Sequence, residues 1–209
     1  MNTPRLLTHR SGLVFLYKPS GWTTHRTAEG GQDLISWIET QGKLIRGARP
    51  VHRLDADTSG VLLCAHQADR ARASSWFAKG KMKKTYQALV YGTMRPTGSI
   101  TLPVDEREAE TTVNLLETFS VDGQPISLVE LIPSTGRKHQ IRRHLHHVRH
   151  PILGDRRYTR ARLSLPVGAP QRLWLHAGRL HVPNLPAVTA PLPPDLAEHL
   201  EALRASSAS

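Results

Sequence analysis

Apolar positions in this chain fall into short blocks separated by glycine, proline and charged stretches, and the spacing within each block predicts its element. Gly12 to Tyr17 (Gly-Leu-Val-Phe-Leu-Tyr) is an apolar run of strand length. Lys18-Pro19-Ser20-Gly21 then turns the chain, because proline and glycine interrupt a ladder. Asp33 to Thr40 reads as a short helix with Leu34, Trp37 and Ile38 on one side. Gly42 to Pro50 is a basic loop, Val61 to Ala65 a buried strand and Gln67 to Lys79 a helix. Thr85 to Tyr91 is rich in β-formers. Thr111 to Phe119 and Ile126 to Ile132 read as two strands joined across an Asp122-Gly123 turn. After Ser134-Thr135-Gly136, Ile141, Leu145 and Val148 recur at helical spacing. Leu173 to Val182 is a late strand region, expected to break at Gly178. Asp195 is expected to cap a final helix carrying Leu196, Leu200 and Leu203, with Glu198 placed for a capping box and Ala205 to Ser209 as a frayed tail.

Strands outnumber helices and follow one another in pairs. That favours an α+β fold with a mixed, mostly antiparallel central sheet, flanking helices and an active-site cleft over a βαβ repeat. No internal repeat and no Pro/Ser/Gly linker divides the chain, so a single domain is expected over residues 1–209, its core running from about residue 12 to residue 204.

Charge changes this picture from a fold to a partner. The 209 residues hold 28 Lys and Arg against 17 Asp and Glu, a formal net charge of +11, and the pI is near 10.5. Such a surplus points to a polyanion. It is also unevenly spread. Arg137 to Arg162 contains nine cations (Arg137, Lys138, Arg142, Arg143, Arg149, Arg156, Arg157, Arg160 and Arg162) against one acid, Asp155, whereas Ile100 to Glu130 has seven acids and one arginine. A run of charge is often only a solvated helix face. Here the run contains an amphipathic helix that must dock its apolar stripe, and it begins at a Thr-Gly turn whose free backbone N–H groups are expected to attract anions. Lys79 to Lys84 adds four lysines in six residues.

Other chemistries find little footing. His139, His144, His146, His147 and His150 include pairs three and four apart, the spacing of metal chelators, but no HExxH pattern is present and acids are scarce nearby. Contacts to RNA or backbone suit these histidines better, and no metal is expected. A zinc nucleobase deaminase needs several cysteines, and Cys64 stands alone in an apolar run that reads as core. GxSxG, P-loop and GxGxxG patterns are absent, which leaves hydrolase, NTPase and dinucleotide readings unsupported. No run approaches the roughly 20 apolar residues of a membrane span. The expectation is a soluble, cytoplasmic monomer that does not engage membranes.

One stretch carries a candidate reactive group. In Val51-His52-Arg53-Leu54-Asp55-Ala56-Asp57-Thr58-Ser59-Gly60-Val61 a short acid sits beside an arginine and a histidine at the entry to an apolar strand. A carboxylate in a partly dry cleft needs a cationic partner to stay ionised, and once oriented it is a candidate nucleophile. Asp57 competes for this role, but an Asp two residues before Ser59-Gly60 more naturally bonds the turn. Tyr86 shares a strand face with Ala88 and Val90, which by itself reads equally well as core packing. Arg137 precedes a helix, where the dipole disfavours a cation, so its place there hints at a nearby anion.

His52-Arg53-Leu54-Asp55, Lys84-Thr85-Tyr86 and Thr135-Gly136-Arg137-Lys138-His139-Gln140-Ile141-Arg142 together resemble the RluA-type family of pseudouridine synthases. Lys18-Pro19-Ser20-Gly21-Trp22, His150-Pro151-Ile152-Leu153-Gly154-Asp155 and Leu175-His176-Ala177 extend the resemblance over roughly Leu13 to Val182. The Gly136 to Leu145 run, and His25-Arg26 after the first of these motifs, look like the C type of tRNA pseudouridine synthases. The resemblance implies isomerisation of a specific uridine in tRNA, at position 65, with 23S rRNA as the alternative substrate. It implies no cofactor, since the reaction exchanges neither electrons nor groups. The first predicted strand starts at Gly12, so the S4-like domain of some relatives is not expected ahead of it.

The resemblance further implies Asp55 as the catalytic carboxylate, acting either at uracil C6 or at the sugar. Arg137 would be its partner and Tyr86 the active-site tyrosine. Leu63 and Ile141 would wall the pocket, and Arg53 would fill the stack vacated by a flipped base. His52 would order the same loop on the RNA side, while Lys79, Lys81, Lys83, Lys138, Arg142 and Arg143 are expected to contact phosphates. A catalytically silent RNA-binding module is the reading from another class. A pure binder has no need of an acid amid phosphates, which weighs against it.

Overall fold

The structure, a computed structural model, describes residues 3–28, 30–121, 123–159 and 168–207. Arg160, Arg162 and Asp122 lie outside them, as do Ala208 and Ser209. In chain order the elements are β1 (Arg5–Arg10), β2 (Leu13–Lys18), α1 (Leu34–Glu39), β3 (Arg49–Pro50), β4 (Ser59–Ala65), α2 (Gln67–Ala78) and β5 (Lys83–Tyr91). β6 (Thr97–Ile100), β7 (Thr111–Val121), β8 (Gln124–Pro133), α3 (Gln140–His147), β9 (Leu175–His181), β10 (Val188–Thr189) and α4 (Pro194–Ser207) follow. The fold is α+β, with a mixed, mostly antiparallel sheet of ten strands and four helices among the described residues. The chain forms two compact units, one of residues 1–84 and 177–191, the other of residues 85–176 and 192–209.

In the first unit the strand order is β1-β2-β4-β9, with β3 added to β4 and β10 to β9. Every residue of β2 and β4 is buried. That explains why both strands read as continuous apolar runs and not as alternations. Leu13, Phe15 and Tyr17 of β2 and Val61 and Leu63 of β4 point into one cluster, joined by Ala73 of α2 and by Met82 and Leu180. Each large side chain removed from water there contributes about 1.5–3 kcal/mol. β1 was not legible as a strand. It is an edge with an exposed, basic sequence, paired to β2 through a register shift between Leu6 and Thr8. The 33–40 helix has the expected ends: the Asp33 carboxylate accepts the Ser36 N–H at 2.8 Å, and Thr40 closes it. β9 does not break at Gly178, because the Gly178 carbonyl accepts the Ala190 N–H at 2.9 Å just past β10. Gly60 lies at φ +131°, where a β-carbon would collide with the Ala177 backbone, so only glycine lets these segments approach.

In the second unit the order is β5-β8-β7-β6, all antiparallel. The expected hairpin is present and longer than its apolar core, since β7 and β8 pair out to Val121 and Gln124. α4 begins at Pro194, so Asp195 lies inside the first turn and is not its cap. There its carboxylate pairs with Arg172 at 3.4 Å, and proline suits the first helical position. Helical hydrogen bonding also carries the chain through Ala205 to Ser207, in place of a frayed tail. The α4 residues Leu196, Leu200 and Leu203 are buried, and the neighbouring His199 Nδ1 accepts the Trp174 indole N–H at 3.2 Å.

Candidate active site

In the first unit, the loop bearing Asp55 is fixed by hydrogen bonds to its backbone. Lys18 ends β2 with no solvent exposure. Its ammonium donates to the carbonyls of Pro19 at 2.8 Å, Trp22 at 2.7 Å and Ala56 at 3.0 Å. Three donors meeting three acceptors is what a buried ammonium requires. The Gly21 N–H also reaches the Ala56 carbonyl, at 2.9 Å, and the Ser20 hydroxyl donates to the Asp57 carbonyl at 2.9 Å. Thr24 bonds both polar groups of Leu54: its hydroxyl donates to the Leu54 carbonyl at 2.9 Å and accepts the Leu54 N–H at 3.1 Å. Asp55 itself is half-buried, and its carbonyl accepts the Thr58 N–H at 3.1 Å. Thr24→Val is expected to leave both buried Leu54 groups unpaired and to cost about 2 kcal/mol, with Thr24→Ser retaining most of the stability. Denaturant unfolding of the two variants checks this.

His52 and Leu63 take places other than those expected. Leu63 has no solvent exposure and belongs to the core cluster, so it does not wall a substrate pocket. Its N–H donates to His52 Nε2 at 3.1 Å. His52 is buried, stacked near-parallel on Phe77 with ring centroids 6.3 Å apart, and thus orders the loop from inside without an RNA-facing surface. Burial, with the Lys84 ammonium adding to it and the Arg53 backbone opposing it, holds the His52 imidazole at a pKa of about 3. His52 is therefore neutral, its Nε2 the acceptor and its proton on Nδ1. Burial likewise pushes Lys84 down to about 8. Arg53, Lys79, Lys81 and Lys83 are exposed, a placement open to phosphates.

In the second unit, Tyr86 is buried and faces Leu131 across the β5–β8 ladder. Arg137 precedes α3 in a turn organised by Gln140, which is 4% exposed. The Gln140 amide oxygen accepts the Thr135 hydroxyl at 2.6 Å and the Arg137 N–H at 3.1 Å. Its nitrogen donates to the Glu110 carbonyl at 2.8 Å and the Thr111 hydroxyl at 3.2 Å. The amide thus uses its full capacity to tie this turn to the start of β7. The Arg137 N–H expected to await an anion is therefore occupied. The Arg137 guanidinium is half-buried and donates to the Glu108 carbonyl at 3.3 Å.

Arg142 departs from expectation most. It is buried and forms a two-pronged pair with Asp155, Nε to Oδ2 and Nη2 to Oδ1, both 2.8 Å. Asp155 Oδ1 also accepts the N–H groups of Arg157 at 3.0 Å and Tyr158 at 3.1 Å. A guanidinium so enclosed is an internal strut and not a phosphate contact. Ile141 is buried, Lys138 exposed, and Arg143 pairs with Asp105. Two of the histidines hold backbone: His144 Nε2 donates to the Leu102 carbonyl at 2.9 Å and His150 Nδ1 to that of Tyr91 at 2.8 Å. Lys18, Thr24 and Gln140 were not singled out from the sequence. Lys18 and Gln140 do stand inside the Lys18–Trp22 and Thr135–Arg142 motifs, which by themselves assign neither a structural role, and Thr24 lies outside every motif.

A family model described as RNA pseudouridylate synthase matches residues 12–147. The chain is 33% identical over 198 residues to the tRNA pseudouridine synthase C of Yersinia pestis, covering 81% of this chain and 77% of that protein. It is 34% identical over 197 residues to the tRNA pseudouridine synthase C of Haemophilus ducreyi, covering 81% of each. The solved structure of human RNA Pseudouridylate Synthase Domain Containing 4 superposes with a TM-score of 0.78 at 25% identity, over 95% of this chain and 92% of that one. The chain belongs to the RNA pseudouridylate synthase family. It is an isomerase that converts uridine in RNA to pseudouridine. No described helix is long and apolar enough to cross a membrane.

Proposed function

We propose that the RNA is tRNA, that the target is the uridine of position 65, and that Asp55 is the catalytic carboxylate. The observation supporting the substrate is the 33–34% identity, over about four-fifths of the chain, to enzymes named for tRNA. The isomerisation breaks the C1′–N1 bond and forms C1′–C5, while the C5 proton leaves and N1 gains one. A carboxylate serves either route to base detachment, by adding to C6 or by acting at the sugar. Support for Asp55 comes from its loop: backbone bonds from Lys18 and Thr24 fix the residues on either side of it, so its carboxylate starts from a defined position. Arg137 is the cationic partner in this proposal, and Tyr86 packs against the uracil and assists removal of the C5 proton. Arg53 fills the stack left by the flipped uridine, with Lys79, Lys81, Lys83 and Lys138 on phosphates.

Mapping pseudouridine in total RNA from cells with and without this protein tests the substrate. Loss of a single tRNA signal at position 65 is the expected result. A loss confined to ribosomal RNA would replace tRNA by 23S rRNA in the proposal.

A further inference from the structure

Arg143 of α3 meets Asp105 at 2.7 Å, with the arginine side chain 34% and the aspartate 65% exposed. Two further cations, Lys138 and Arg107, act on the same carboxylate. The hydrogen bond from Arg143, with a smaller pull from Lys138 and Arg107, holds the Asp105 carboxyl below the usual range. Glu106 and Glu108 are its nearest acidic neighbours in sequence. Arg143 helps line an open cavity of about 200 Å³ together with Pro103, Val104, His146, His147 and Tyr158.

The carboxylate reaches Arg143 from a tight turn. Val104 and Arg107 exchange backbone hydrogen bonds of 2.9 and 3.3 Å, and the two residues between them, Asp105 and Glu106, sit at φ +51° and +61°. That is a type I′ hairpin turn, built without the glycine it favours. It presents Asp105 on a short, defined backbone, so leaving Arg143 requires only a side-chain rotation.

The geometry points to an RNA phosphate site at Arg143 and the adjoining cavity, in which Asp105 holds the place of a phosphodiester until RNA arrives. A phosphate carries the same charge as the carboxylate and offers the fork of Arg143 matching acceptors. His146, His147 and Tyr158 supply further polar edges along the cavity wall. An exposed ion pair is weak in water and yields readily to a competing anion. This inference rests on the RNA substrate and not on tRNA or position 65.

The test is equilibrium binding of fluorescently labelled, unmodified tRNA and a 23S rRNA fragment to wild type, Asp105→Asn, Glu106→Gln, Arg143→Gln and the Asp105→Asn/Arg143→Gln double variant. Asparagine tolerates positive φ, so the turn survives the first substitution. Asp105→Asn is expected to tighten binding about threefold on whichever RNA binds, and Glu106→Gln, which changes net charge equally, by less than about 1.5-fold. Arg143→Gln weakens binding, and adding Asp105→Asn to it restores nothing. Equal tightening by Glu106→Gln, or undiminished tightening in the Arg143→Gln background, would overturn the site and leave only a general charge effect.

Discussion

Asp55→Asn is expected to remove isomerase activity, by roughly a thousandfold or more in kcat, while RNA binds with nearly the wild-type Kd. The amide has almost the same shape as the carboxylate but neither its charge nor its basicity. The loop should survive the change, because the bonds from Lys18, Gly21, Ser20 and Thr24 go to the backbone of Leu54, Ala56 and Asp57 and not to the Asp55 side chain. Tritium release from C5-labelled RNA reads the chemistry, and anisotropy reads the binding. Full activity in the variant removes Asp55 from the mechanism. Loss of both activity and binding would make it a structural residue.

Asp155→Asn is expected to cost the second unit about 3–5 kcal/mol, because it leaves the Arg142 guanidinium buried without its counter-charge. For a chain of this size that lowers Tm by roughly 10 °C. The pair is nearly dry, with side-chain exposures of 7% for Arg142 and 1% for Asp155. Arg142→Met added to Asp155→Asn should recover part of the loss, since no unpaired cation remains. Recovery stays partial because asparagine meets the Arg157 and Tyr158 N–H groups less strongly than a carboxylate does. Thermal unfolding of the single and double variants measures both effects. A single-variant cost below about 1 kcal/mol would place the pair among ordinary surface contacts.

Legibility from sequence followed the range of the forces involved. The apolar blocks of β2, β4, β5, β7 and β8 were visible because burial imprints a local pattern, and the short helix after Asp33 because Leu34, Trp37 and Ile38 recur at helical spacing. β1 was hidden by its arginines, which an edge strand tolerates and a central one does not. Gly178 looked like a break because the partner that keeps β9 continuous comes from residues 188–190. Arg142 was read as surface charge although its neighbours Ile141 and Leu145 already marked that side of α3 as inward. Its counter-charge lies 13 residues away, beyond any helical spacing. The motif around Asp55 named a candidate, but nothing in it indicated that His52 turns inward onto Phe77; Leu63, on a strand already legible as buried, belongs to the core and not to a pocket wall.

Lys18 has a consequence for how this enzyme tolerates change. By grasping carbonyls at positions 19, 22 and 56 together, it couples two loops more than thirty residues apart in the chain into one mechanical piece. Neither loop can be lengthened, shortened or regrafted alone without leaving a trapped positive charge short of acceptors. Engineering of either therefore has to treat the two as a single cassette.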